Sequence, residues 1–129
     1  MATAALAIAT PAIATARERL PYLTVKDTRA YLKSAFRSDF GSDYRDSTER
    51  YIDACTRRPK LASRPGRVRC NSVGWRLGDV VFEGGASVWY RHNDEGEVRW
   101  WYSYSITETD EACLDAGGSD AECIISHDV

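Results

Sequence analysis

The sequence predicts an α+β fold: one N-terminal amphipathic helix packed on a four-stranded antiparallel β-meander and stabilised by disulfides. Three observations predict it. Apolar residues recur at helical spacing between Thr24 and Phe40. From Glu49 to Thr107 the period changes to two, with turn-forming residues between the runs. The four cysteines form two neighbouring pairs, each enclosing one short loop. A chain of 129 residues is enough for one domain, and 43% hydrophobic with 28% charged residues is ordinary globular composition.

The helix is predicted over residues 24–40. Thr24, with Asp27 three residues on, resembles a capping box in which Asp replaces the usual Glu or Gln. Val25, Thr28, Leu32, Ala35, Phe36 and Phe40 share one side, while Lys26, Arg29, Lys33 and Arg37 occupy the other. Gly41 stands where a left-handed cap is wanted.

"ERYIDACT" reads as the first strand, and "RRPKLASRPGR" (57–67) as an irregular loop rich in Arg and Pro. "VRCNSVGWRL" is the second strand. Its apolar parity changes near Asn71-Ser72, which predicts a bulge there. Gly78-Asp79 is a two-residue turn, and Trp75 then pairs with Phe82 on the core side. "VVFEGGASVWYRH" is the third strand, with Gly84-Gly85 marking a bend or a close backbone contact. "EVRWWYSYSIT" is the fourth.

The last hairpin fixes where its aromatic rings go. Asn93-Asp94-Glu95-Gly96 suits a type I turn followed by a glycine bulge. That geometry pairs His92 with Val98, Tyr90 with Trp100, Val88 with Tyr102 and Ala86 with Tyr104, all on the core face. The outer face then holds Arg91 opposite Arg99, Trp89 opposite Trp101 and Ser87 opposite Ser103. A different turn would change the register, and the apolar pattern selects this one.

Residues 1–16, "MATAALAIATPAIATA", are uncharged and end in an A-x-A pattern before Arg17, as a signal-peptidase site does. The usual positive n-region is missing, which predicts a start further upstream. Residues 17–129 are the expected domain. The apolar run is too short, and too interrupted by Thr and Pro11, to span a bilayer, and no other segment qualifies. Local pairing of Cys55 with Cys70 and of Cys113 with Cys123 is favoured among the three pairings possible, and fits an exported protein. Zinc ligation would want C-x-x-C or H-x-x-x-H spacing, and neither occurs. The acidic stretch from Glu108 to Val129 is expected to be a loop tied by Cys113–Cys123, with Ile124-Ile125 pinned back onto the sheet.

Function classes narrow accordingly. Net charge is −2, so no nucleic-acid partner is expected, although Arg57 to Arg69 carries six basic residues and no acid. The two histidines, His92 and His127, lie beside a turn and in the tail, and no G-x-S-x-G occurs, so no catalytic residue is assigned. Carboxylates cluster in turns without acid–base spacing, and the 115–122 loop lacks the D-x-D-x-D-G series. No cofactor or metal is expected. The strongest signal is the outer face: Trp89 and Trp101 flanked by Arg91 and Arg99, residue types enriched at binding hot spots. It predicts a secreted or envelope-bound, non-enzymatic module that binds an unknown protein, as monomer or homodimer. The alternatives are a small hydrolase or ligand-binding domain with a polar pocket between helix and sheet, or a structural envelope protein whose outer tryptophans are buried in a homodimer.

A helix followed by an antiparallel meander, spanning Thr24 to Thr107 with local cysteine loops, resembles the cystatin-like architecture and one repeat of the beta-lactamase inhibitory proteins. The resemblance implies a sheet face presented to an enzyme. The cystatin Q-x-V-x-G loop is absent, with "FEGGASV" standing nearest to it, so no inhibitory residue is carried over.

Overall fold

In the computed structural model, which describes residues 18–61 and 64–129, α1 (Val25–Phe40) opens with the Thr24 hydroxyl accepting from the Asp27 N–H. It ends at Gly41, whose φ of 58° an L side chain rarely adopts. A single further turn, α2 (Ser42–Arg45), buries Tyr44. Five strands follow: β1 (Thr48–Arg58), β2 (Arg67–Leu77), β3 (Val80–His92), β4 (Val98–Asp110) and β5 (Ile124–Asp128). They form one antiparallel sheet in the order β1-β2-β3-β4-β5. Between β4 and β5 lie α3 (Glu111–Asp115) and α4 (Asp120–Cys123). The predicted signal-like residues 1–16 lie outside the described part.

Two expectations are corrected. Among the described residues the meander has five strands rather than four, and three short helices accompany the long one. In the acidic stretch the Cys113–Cys123 tie and the return of Ile124-Ile125 to the sheet are as expected, but the segment between holds two short helices rather than a plain loop. Asp110 caps α3 through the Cys113 N–H, and Ser119 with Glu122 forms a capping box on α4. The Cys113–Cys123 bridge then turns the chain back, and Ile124–Asp128 pairs with Ser105–Thr109 along the β4 edge. The strand bounds also reach further than the sequence indicated, because Arg57, Arg58 and Arg67 join the ladder rather than the loop.

The core lies between α1 and one face of the sheet. Leu32 and Phe36 from α1 meet Val68, Val73 and Trp75 of β2, Phe82 and Val88 of β3, and Tyr104 and Ile106 of β4, all buried. Trp75 stacks on Phe82 at 5.0 Å between centroids, and Phe36 closes over Trp75 at 5.1 Å. Rings therefore fill this part of the space between helix and sheet. Trp100, Tyr102 and Tyr90 share the core face but sit half-buried at its margin, where Trp100 stacks on Tyr31 at 4.8 Å. Asp39, in the last turn of α1, accepts hydrogen bonds from the hydroxyls of both Tyr102 and Tyr104 at 2.9 Å. These bonds fasten the helix end to β4.

Both disulfides form as expected, and Cys55 and Cys70 are direct cross-strand partners with Cα atoms 3.9 Å apart. The predicted bulge is present: the β2–β3 register shifts between Cys70 and Val73. At Gly84 a Cβ would stand 1.9 Å from the Ser105 carbonyl oxygen, which is the close backbone contact the glycine pair indicated.

Candidate functional site

The site begins with the β3–β4 turn. The Asn93 carboxamide oxygen accepts from the N–H groups of Glu95 and Glu97, both at 2.9 Å, and the Gly96 N–H bonds back to the Asn93 carbonyl. Gly96 has a φ of 80°, the left-handed position that the bulge requires. This turn sets the ladder at His92↔Val98, and alternation does the rest. Trp89 stands opposite Trp101, Arg91 opposite Arg99 and Ser87 opposite Ser103, all facing away from α1.

Trp101 keeps 40% of its surface open, and the Arg91 guanidinium lies over its ring at 4.5 Å from the centroid. Arg99 turns to the Glu97 carboxylate at 3.2 Å. That carboxyl is held below the usual range, first by its hydrogen bond from the Asn93 amide and then by bonding with Glu95 and the Arg99 charge. Trp89 is half-buried beside a shallow pocket of about 190 Å³ that Arg64, Pro65, Arg67 and Ser103 also line. The tail does not cover these rings. Its last backbone bonds reach Tyr104 and no further toward the turn.

The β2 register adds residues that the hairpin alone does not reveal. Past the bulge, Cys70 pairs with Ala86, so Arg69 stands beside Ser87 and Arg67 beside Trp89. One strand further out, Arg58 pairs with Arg67. The Arg69 guanidinium bonds to the Asn71 carboxamide oxygen at 3.0 Å and lies against Gly85, where a Cβ would come within 2.5 Å of it. Arg58, Arg67 and Arg69 are thus members of the face that sequence reasoning missed. Among the described residues, no carboxylate pairs with Arg58, Arg64, Arg67, Arg69 or Arg91.

The inner side offers less. A pocket of about 240 Å³ beside the chain's entry into α1 is lined by Arg19, Tyr22, Arg57, Lys60 and Tyr90, with the Arg57 guanidinium stacked over Tyr22 at 3.8 Å. The Tyr90 hydroxyl is bonded to that of Tyr31 at 2.6 Å, and burial, then this bond, raises its pKa. It is no base at neutral pH. His92 bonds to the Glu18 carbonyl oxygen. His127 is part of β5, with its ring edge-on to Phe40 and Nε2 3.0 Å from Glu108. The histidines lie in separate places, and neither hydrogen-bonds a Ser, Thr or Cys side chain among the described residues.

Compared with protein-family models, curated proteins and solved structures, the chain matches none.

Proposed function

We propose that the protein is an exported, non-enzymatic protein-binding module of the inhibitor kind, which presents the outer face of β2, β3 and β4 to its partner. One observation carries the reading. Trp101, a large apolar ring, stands open to solvent on a hydrogen-bonded strand, with Arg91 stacked on it and Trp89 beside it. Aromatic and arginine side chains held rigidly together are the usual anchors of protein interfaces. The two disulfides support an oxidising compartment.

The test compares the protein with its Trp101→Ala variant. Both are immobilised and exposed to the extracellular proteins of the source, and bound species are identified by mass spectrometry. The variant is expected to keep its fold by circular dichroism while losing a partner that the parent captures. Identical capture by both would remove Trp101 from the binding surface.

A further inference from the structure

The outer face carries a charge arrangement that the fold itself does not explain. Arg58 stands directly opposite Arg67, and Arg91 directly opposite Arg99. Like charges at opposed cross-strand positions work against sheet formation. Only Arg99 of these four has a carboxylate partner among the described residues. Elsewhere the chain does supply counter-charges: Arg76 is bracketed by Glu49 and Glu111, and Arg29 faces Asp53. A protein of net charge −2 has therefore concentrated unpaired guanidiniums around its two outer tryptophans. The missing anions fit a ligand.

We infer that the partner feature docking on this face is a short acidic stretch of polypeptide, an inference that rests on reading the face as a protein-binding surface. Two points favour carboxylates on a peptide over a long polyanion. The cationic area is small. Four residues along β3 and three strand spacings across it make about 14 Å each way. It is also bounded by like-signed obstacles to any polyanion. Glu95 and Glu97 close the turn end, while Glu83 and Asp128 share the outer face by register toward the other end. A nucleic-acid strand or glycan running beyond the patch meets those acids, whereas a segment of four or five residues fits inside it. Guanidinium forks match carboxylates in pairs, and the indoles between them suit an apolar side chain in the same segment.

The experiment titrates the protein with a blocked peptide, acetyl-Glu-Leu-Glu-Leu-Glu-amide, and follows tryptophan emission. The same peptide with Lys for Glu, a heparin hexasaccharide and an oligothymidylate are run in parallel. Binding of the acidic peptide is expected, weakened about tenfold by Arg67→Glu and by Arg91→Glu, and unchanged by Lys33→Glu on the exposed side of α1. Equal loss in Lys33→Glu would reduce the effect to net charge and overturn the proposal. So would equal binding of the lysine peptide, or tenfold tighter binding of heparin or the oligonucleotide. If the acidic peptide fails to bind while capture sensitive to Trp101→Ala persists, the partner chemistry is wrong and the face stands. If both fail, the face itself falls.

Discussion

Arg67→Glu is expected to make the isolated protein more stable, although it removes a side chain from the candidate binding surface. Arg67 and Arg58 are cross-strand partners with no carboxylate paired to either among the described residues. For two unit charges about 7 Å apart in water-like dielectric the repulsion is about 0.6 kcal/mol, within the roughly 0.2–1 kcal/mol that directly opposed cross-strand pairs show. Reversal replaces repulsion with a similar attraction, a swing of about 1 kcal/mol. Lost packing of the arginine stem beside Trp89 offsets part of it, leaving about 0.5–1 kcal/mol, or roughly 2–5 °C in melting temperature for a chain of this size. Arg67→Ala relieves the repulsion alone and should gain about half. Thermal melts followed by circular dichroism at 20 mM and 1 M salt check this. The gain should largely vanish at 1 M, where the Debye length falls to about 3 Å. An Arg67→Glu protein that melts below its parent at low salt, or whose gain survives at 1 M, would refute the electrostatic reasoning.

Other perturbations test the scaffold. Replacing Cys55 and Cys70 by Ser opens a bridge spanning 15 residues, and urea melts should show a loss of about 3 kcal/mol. Gly84→Ala places a methyl group against the Ser105 carbonyl, so the variant should lose the near-ultraviolet signal of its packed tryptophans or fail to accumulate. Tyr44, Tyr51, Tyr90, Tyr102 and Tyr104 all have raised pKa values, with burial the largest cause in each. Between the ordinary value near 10 and the raised ones, the folded state holds more protons than the unfolded state. Stability is therefore full below pH 10 and should fall as pH rises beyond it, with Tyr104→Phe flattening the decline. Glu97 and Glu122 are lowered, so their contribution is present above about pH 4.5 and is lost on acidification below it.

Much of the sheet was legible because two independent signals agreed. The Asn93–Gly96 turn chemistry and the alternation of apolar residues select the same β3–β4 register, and that register alone separates Trp89 and Trp101 from Trp100 and Tyr102. The bulge near Asn71 was readable from a change in parity, and counting through it from Trp75–Phe82 sets Val68 against Val88. The same count puts Arg67 beside Trp89. Treating 57–67 as wholly irregular concealed it, since arginine and proline dominate that stretch. β5 left no periodic trace, because its two isoleucines are consecutive and the strand exists only where the Cys113–Cys123 loop delivers it to an open β4 edge. The capping residues Ser119 and Glu122 were visible, but a four-residue helix buries too little to leave an apolar pattern. Tyr44 had no signal beyond following Gly41 closely, and it is buried by tertiary contact with Phe36 and Trp75.

The clasp between Asp39 and the two tyrosine hydroxyls has a bearing on recognition at the far surface. Tyr102 and Tyr104 alternate along β4 with Trp101 and Ser103, so hydroxyls anchored beneath the sheet immobilise the very backbone from which the open indole projects. The configurational freedom of that backbone is surrendered when the chain folds. A partner of the proposed kind would meet a platform already set, and less of its binding energy would be diverted into ordering what it touches.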